Sequence, residues 1–307
     1  MLKHRLLLGP LLIVGALVGA WLDEWIEGRG LSPFWQDVLG RPTAPPGVVA
    51  FIVVSAVGLL ASWELARILR DNGIRASTVI TCLASQVGLV VAVIVPSSES
   101  PQTAVAVAST AAGVVLVSAL LFHTRNERIE GIVAAAGGSL LAFVYLGLMW
   151  GFILALRREA SVWFLVWVLL VTKSCDIGAY FTGRSFGRHK LIPWLSPGKT
   201  WEGLGGGMLV SAACGAGGLW LVVRLDGGYG SAPRTVLVAG LLVGGLLGLV
   251  GQAGDLVASM FKRDAGRKDA SGVLPGFGGM LDVLDSLILA FPVAYWLHHL
   301  FAGAVLG

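Results

Sequence analysis

Residues 235–257 read TVLVAGLLVGGLLGLVGQAGDLV. Apart from Asp255 the run is uncharged, and it is long enough for a helix to cross the hydrocarbon core of a bilayer, which takes roughly 20 apolar residues. Further runs of this kind fall at 5–22, 47–63, 77–96, 103–122, 131–155, 160–181, 203–223 and 281–304. The chain of 307 residues is 56% hydrophobic and 13% charged, with a mean hydropathy of +0.81. Soluble domains carry about 25% charged residues. A chain this poor in charge cannot cover its surface with polar groups, so its solvent is lipid. The expected fold class is an all-α integral membrane protein, a polytopic bundle of about nine transmembrane helices.

Lys3, His4 and Arg5 before the first run resemble the start of a signal peptide. WLDEWIEG follows in place of a small-residue cleavage site, which predicts a retained helix. Cations favour the cytoplasmic side of short loops. Lys3 and Arg5 put the N-terminus inside, and the acidic 23–46 connector outside, with a short interfacial helix carrying Trp25 and Trp35. Arg67, Arg70 and Arg75 fall inside, 96–102 outside and 123–130 inside. The alternation places 182–203 and 259–286 inside and the C-terminus outside. Arg157 and Arg158 are misfits, in a short connector expected outside. Glycines in GLGGGMLVSAACGAGG and GLLVGGLLGLVGQAG predict close helix–helix packing. Cys82, Cys175 and Cys214 all lie in apolar spans, which suits small buried hydrophobes. The chain divides into N-terminal helices over 1–102, middle helices over 103–181 (the candidate dimerisation region) and a catalytic region over 182–307.

Three carboxylates stand in or at the end of apolar helices: Asp176, Asp255 and Asp282. A charge at membrane depth is costly and faces a partner, a cation or a polar cavity. Asp255, Ser259 and Lys262 fall on one helix face, and so do Asp282, Asp285 and Ser286. Between the two faces lies the basic, glycine-rich KRDAGRKDASGVLPGFGG. Acids on two helices under such a loop fit a metal–phosphate site, because Mg²⁺ takes one or two carboxylates plus phosphate oxygens. The competing reading is a basic loop that touches anionic lipid head groups; it explains the cations but not the acids. A second stretch, DIGAYFTGRSFGRHKLIPWLSPGKTWEG, gathers Arg184, Arg188, Lys190 and Lys199 after Asp176. It lacks the GxxxxGK[ST] of a Walker loop, and a charged connector is its plain alternative. An ion path through the three carboxylates is disfavoured, because they gather at one membrane face and no repeat is evident. Glu64 with Arg67 reads as a span cap, and His298 and His299 as interfacial side chains.

Residues 255–286 resemble the signature of the phosphatidate cytidylyltransferase (CDP-diacylglycerol synthase) family. Ser259, Lys262, Arg263, Lys268, Asp269, Pro275, Gly276, Gly278, Gly279, Asp282 and Asp285 match it in order. The second stretch resembles another block of that family from Asp176 to Gly203. Two positions depart: Phe277 stands where the family has histidine, and Val283 where it has arginine. The resemblance implies transfer of a cytidylyl group from CTP to phosphatidate, with Mg²⁺ alone or with a second cation. It implies Asp255, Asp282 and Asp285 as metal ligands, and Ser259, Lys262, Arg263, Lys268 and Lys199 around the CTP phosphates. Arg184 and Arg188 would lie near the lipid phosphate, and Asp176 would be a further substrate-binding residue. It further implies a homodimer in the inner (cytoplasmic) membrane with its site facing the cytoplasm and no nucleic-acid partner. The two departures raise an impaired, ligand-binding relative as the alternative.

Overall fold

The computed structural model describes residues 2–95, 100–124, 129–226 and 232–301. Parts of two connectors used for the sidedness argument, 96–99 and 125–128, and the end of the chain lie outside the described residues. The molecule is 79% helical. In chain order come α1 (Leu2–Ile26), α2 (Pro33–Leu39), α3 (Val48–Asp71), α4 (Thr78–Ile94), α5 (Pro101–Thr124) and α6 (Ile132–Leu141). A π-helical stretch, Ala142–Met149, joins α6 to α7 (Trp150–Glu159). Then follow α8 (Val162–Phe186), a hairpin of β1 (Lys190–Ile192) and β2 (Ser196–Thr200), α9 (Trp201–Leu225), α10 (Pro233–Asp264) and α11 (Met280–Phe301). Among the described residues eight helical segments are long and apolar enough to cross a membrane, and α4 is a shorter apolar helix. Together they match the spans expected from hydropathy.

Local chemistry sets several boundaries. Ser77, Ser161 and Thr200 cap α4, α8 and α9, each accepting a hydrogen bond from a backbone N–H of the first turn. The 23–46 connector differs from expectation: Trp25 belongs to the last turn of α1, and only Trp35 sits on the short α2. Nothing breaks α1 until Gly28, at φ +74°. Likewise α10 runs nine residues past Asp255 to Asp264, so Ser259, Lys262 and Arg263 are helical. Lys262 and Arg263 suit its carbonyl end, and Gly266 at φ +65° follows the stop. At about 1.5 Å per residue, α10 is longer than the roughly 30 Å hydrocarbon core, so its charged end emerges from the apolar layer.

Helices α8, α9 and α10 pack most tightly. A Cβ on Gly215 of α9 would lie 2.3 Å from the Gly240 carbonyl oxygen on α10, a backbone approach only glycine permits. Helix α11 lies against α10, and α3, α4 and α7 complete the core on its other side. Leu237, Val238, Leu241 and Leu242 on the outer face of α10 are exposed, as lipid-facing side chains are.

The ionic contacts sort into two ends. At one end the Arg157 guanidinium meets Asp23 at 2.6 Å and Glu27 at 2.5 Å. Asp23 also accepts the backbone N–H groups of Val49 and Ala50. Arg158 donates to the Val93 carbonyl at 2.5 Å, and His299 meets Glu159 at 2.9 Å. At the opposite end Asn72 donates to Asp264 at 2.5 Å and Arg267 pairs with Asp71. The misfit of Arg157 thus has a physical reason. Its charge is neutralised by the acids that end α1, so it sits buried on the acidic face, where charge bias alone would not put it.

Candidate active site

The second stretch folds as the end of α8, the hairpin and the start of α9. Lys190 pairs with Thr200 and Ile192 with Ser196 across the hairpin. Glu202 in the first turn of α9 accepts the backbone N–H groups of Arg188 and His189 and meets His189 Nδ1 at 2.6 Å. Pinned at its base, the hairpin delivers Lys199 to α10. There its ammonium lies 2.7 Å from an Asp255 carboxylate oxygen and 3.4 Å from the Gln252 carbonyl.

This pair lies in a cleft of about 440 Å³ between α8, the hairpin and α10, lined among others by Asp176, Tyr180, Arg184, Lys199, Gln252 and Asp255. Behind it the acids interlock. Asp285, on α11, accepts the Ser286 backbone N–H at 2.6 Å. Lys173 on α8 lies 3.7 Å from both Asp176 and Asp285, and donates to Ser286 Oγ at 2.7 Å. Gln252 donates to Asp176 at 2.6 Å. Three helices and one strand therefore converge on one polar patch within an apolar bundle.

The glycine-rich loop 265–279 is organised from two sides. Asp282, in the first turn of α11, uses both carboxylate oxygens. One meets Lys262 Nζ at 2.5 Å, and the other accepts the N–H groups of Ala270 at 2.8 Å and Gly279 at 2.7 Å. From the N-terminal half, Glu64 on α3 is 1% exposed. It accepts Ser271 Oγ at 2.5 Å and the N–H groups of Met280 at 2.9 Å and Leu281 at 2.7 Å. Glu64 does cap a span, but the span is α11, not its own helix. Gly278 has φ +95°, and a Cβ there would lie 2.5 Å from Asp282. The chain turns back on itself there at a position that favours glycine.

The structure thus brings Asp176, Arg184, Lys199 and Asp255 into one cleft, with Asp285 directly behind and Lys262 and Asp282 forming the adjoining loop anchor. Ser259 is half-buried on the α10 face of Asp255 and Lys262. Arg188, Arg263 and Lys268 are exposed and do not line the cleft. Arg263 donates to the Leu195 carbonyl at 3.4 Å, fastening α10 to the hairpin. Among the described residues no group of three or more His, Cys, Asp or Glu side chains forms a ready-made metal cage. Asp255 and Asp285 offer hard carboxylate oxygens, each with an ammonium group nearby, Lys199 at 2.7 Å and Lys173 at 3.7 Å. That donor set fits Mg²⁺, which takes one or two carboxylates and fills its shell with phosphate and water oxygens.

The profile of the cytidylyltransferase family matches residues 43–301. The chain belongs to the cytidylyltransferase family. A phosphatidate cytidylyltransferase of Bacillus subtilis is 31% identical over 255 residues, 82% of this chain and 89% of that protein. One from Pseudomonas aeruginosa is 41% identical over 126 residues, 41% of this chain and 44% of that protein. A protein of Escherichia coli K12, YnbB, described as uncharacterized, is 43% identical over 131 residues, 43% of this chain and 41% of that protein. The chain spans less than half the length of the latter two relatives in these matches and about nine-tenths of the first. The cytidylyltransferase match takes in α3 to α11 and leaves out α1 and α2. This bears on the departure at Phe277. A Cβ on Gly9 of α1 would lie 3.5 Å from the tip of the Phe277 ring. In this chain the loop thus turns an apolar side chain toward a helix outside the family match. Val283 is half-buried on α11.

Two polar residues of the site escaped sequence reasoning, Lys173 and Gln252. Each stands three residues before an acid already singled out, Asp176 and Asp255, and so on the same helix face. A lysine and a glutamine inside apolar spans were the available signal.

Proposed function

We propose that this member of the family is a phosphatidate cytidylyltransferase, converting CTP and phosphatidate to CDP-diacylglycerol and pyrophosphate. The observation that carries the reading is the Lys199–Asp255 pair in the cleft, backed by Asp285, inside the family match. A phosphatidate phosphate oxygen would attack the α-phosphorus of CTP as pyrophosphate leaves. Such transfer depends mostly on positioning and charge stabilisation. Lys199, tied to Asp255 in the free protein, would turn its ammonium to the nucleotide's phosphates, and the exposed Arg263 and Lys268 would extend that cationic field. Arg184, beside Tyr180 at the cleft, suits the phosphate of a lipid whose acyl chains stay in the bilayer. Lys173 would hold Asp176 and Asp285 in place.

Asp255 and Asp285 would hold Mg²⁺, while Asp282, with both oxygens engaged, would organise the loop. When bound, the ion would supply Lewis-acid polarisation of phosphate oxygens. Arg70, Arg75, Arg184, Lys190 and Arg267 gather at the site's end, while Asp23, Glu24 and Glu27 gather at the other. This supports a cytoplasmic site in an inner membrane.

The test is release of pyrophosphate and formation of CDP-diacylglycerol by purified protein in detergent micelles with CTP and phosphatidate. Turnover should require both substrates and vanish with chelator; no product at saturating CTP would overturn the reading. Phe277→His belongs in the same assay. Because the loop is held through Glu64, Asp282 and backbone groups, it should change turnover by less than about threefold, roughly 0.7 kcal/mol. A tenfold gain would mean the departure impairs the site.

A further inference from the structure

Glu202 stands three residues after Lys199, in the first turn of α9. It does not line the cleft, yet both its carboxylate oxygens are engaged. Oε2 accepts the N–H of Arg188 at 3.1 Å, and Oε1 accepts the N–H of His189 at 3.2 Å. Oε1 also meets His189 Nδ1 at 2.6 Å. Arg188 and His189 lead into β1, while Glu202 follows β2. One carboxylate therefore ties the two ends of the hairpin together. Across the same base the Trp201 N–H donates to the His189 carbonyl at 3.0 Å. Beneath it the chain meets the end of α8 closely: a Cβ on Gly203 would lie 2.9 Å from the Ala179 carbonyl oxygen and 3.2 Å from Gly183 Cα. The turn of the hairpin is held as well. Leu195 is 1% exposed, and its carbonyl accepts Arg263 Nε–H of α10 at 3.4 Å. Lys199 lies between these two fastenings, on β2, with its ammonium 2.7 Å from Asp255.

We propose that Glu202 is a positioning residue of the transfer site. Its carboxylate locks the hairpin into a fixed platform, from which the Lys199 side chain alone turns from Asp255 to the phosphates of the nucleotide. A carboxylate suits this work because it accepts several N–H groups at once, and a charged acceptor makes the stronger bond. The flexible four-carbon stem of lysine supplies the swing, so the strand beneath it need not move. The inference rests on the reading of Lys199 as a phosphate-binding group and adds to it the residue that sets its place.

The test crosses Glu202→Gln with Lys199→Met in a double-mutant cycle, on full-length protein in detergent micelles. It reads kcat/KM for CTP, the thermal midpoint and backbone hydrogen exchange over residues 188–200. A positioned group displaced by about 1 Å costs up to about 100-fold, and Glu202→Gln is expected to lower kcat/KM for CTP by about tenfold or more. In the Lys199→Met background the same substitution should cost less than about twofold, because residues that act as one unit are not additive. A glutamate that merely stabilises the fold would cost the same factor in both backgrounds, and that result would overturn the proposal. Wild-type rates in Lys199→Met would overturn the reading of Lys199, and Glu202 with it. A large loss in Lys199→Met beside wild-type rates in Glu202→Gln would overturn the Glu202 assignment alone. Exchange is read independently of turnover. Glu202→Gln should speed exchange of the Arg188 and His189 amides by about tenfold, and CTP should leave exchange across the wild-type hairpin unchanged. Protection gained over both strands on adding CTP would make the hairpin a moving lid and overturn the fixed platform. If Glu202→Gln lowers the thermal midpoint, His189→Ala takes its place in the cycle. It removes only the imidazole partner, with an expected loss of about threefold that again disappears without Lys199; the same loss in both backgrounds would overturn the proposal.

Discussion

Asp255→Asn is expected to lower pyrophosphate release about 1,000-fold at saturating CTP, roughly 4 kcal/mol of transition-state stabilisation. The substitution keeps shape and removes charge at the point where three dependencies meet. Lys199 loses the carboxylate 2.7 Å from its ammonium, which holds the hairpin over the cleft. The Gln252 carbonyl is then the partner left to that ammonium, at 3.4 Å. On the proposed reading the cation site would fall to one carboxylate just where the leaving pyrophosphate would need charge neutralised, and such electrostatic terms are among the largest in catalysis. Initial rates of product formation, with Mg²⁺ titrated to high concentration, measure it. A loss smaller than about tenfold, 1.4 kcal/mol, would remove Asp255 from the chemistry. Asp282→Asn provides the contrast. Its main cost should be folding stability, because it strips Lys262 of its partner and weakens the hold on Ala270 and Gly279.

Glu64→Gln is expected to destabilise the protein by about 3 kcal/mol, and to lower turnover although Glu64 lies outside the cleft. Three donors converge on its carboxylate: the Ser271 hydroxyl and the N–H groups of Met280 and Leu281. Glutamine offers one acceptor oxygen and turns an NH₂ group toward the rest, so at least one buried donor goes unpaired at about 1–3 kcal/mol each. The charge that favours the N-terminus of α11 disappears as well. There is no slack to absorb the change, since a Cβ on Gly279 would already lie 2.5 Å from a Glu64 oxygen. Freed from α3, the loop no longer sets the start of α11, and with it the placement of Asp282 and Asp285. Thermal unfolding in detergent, read beside turnover, checks this. A midpoint equal to wild type with intact activity would show that Asp282 alone holds the loop.

The spans were legible because hydropathy is a local property: a run such as 235–257 must be a buried helix wherever its neighbours lie. The pairing of Asp255 with Lys262 on one face, and of Asp282 with Asp285 and Ser286 on another, followed from helical period alone. The motifs from Asp176 to Gly203 and from Asp255 to Ser286 were readable as ordered strings. Lengths were less so. Helix α10 passes Asp255 by nine residues, because cations at its carbonyl end extend it where a reading based on apolarity alone stops.

The sequence by itself therefore determined an all-α membrane bundle, its family and the set of polar residues from which a phosphate site could be built. Which acid meets which partner was decided by tertiary structure. Glu64 reaches Ser271 across 207 residues, and Lys173 reaches Ser286 across 113. No local pattern encodes either contact. In a low-dielectric interior each carboxylate is committed to the nearest donor or cation. Which of them is nearest depends on how α3, α8, α10 and α11 pack. That packing hands Asp282 to the loop and leaves Asp255 paired with Lys199 in the cleft.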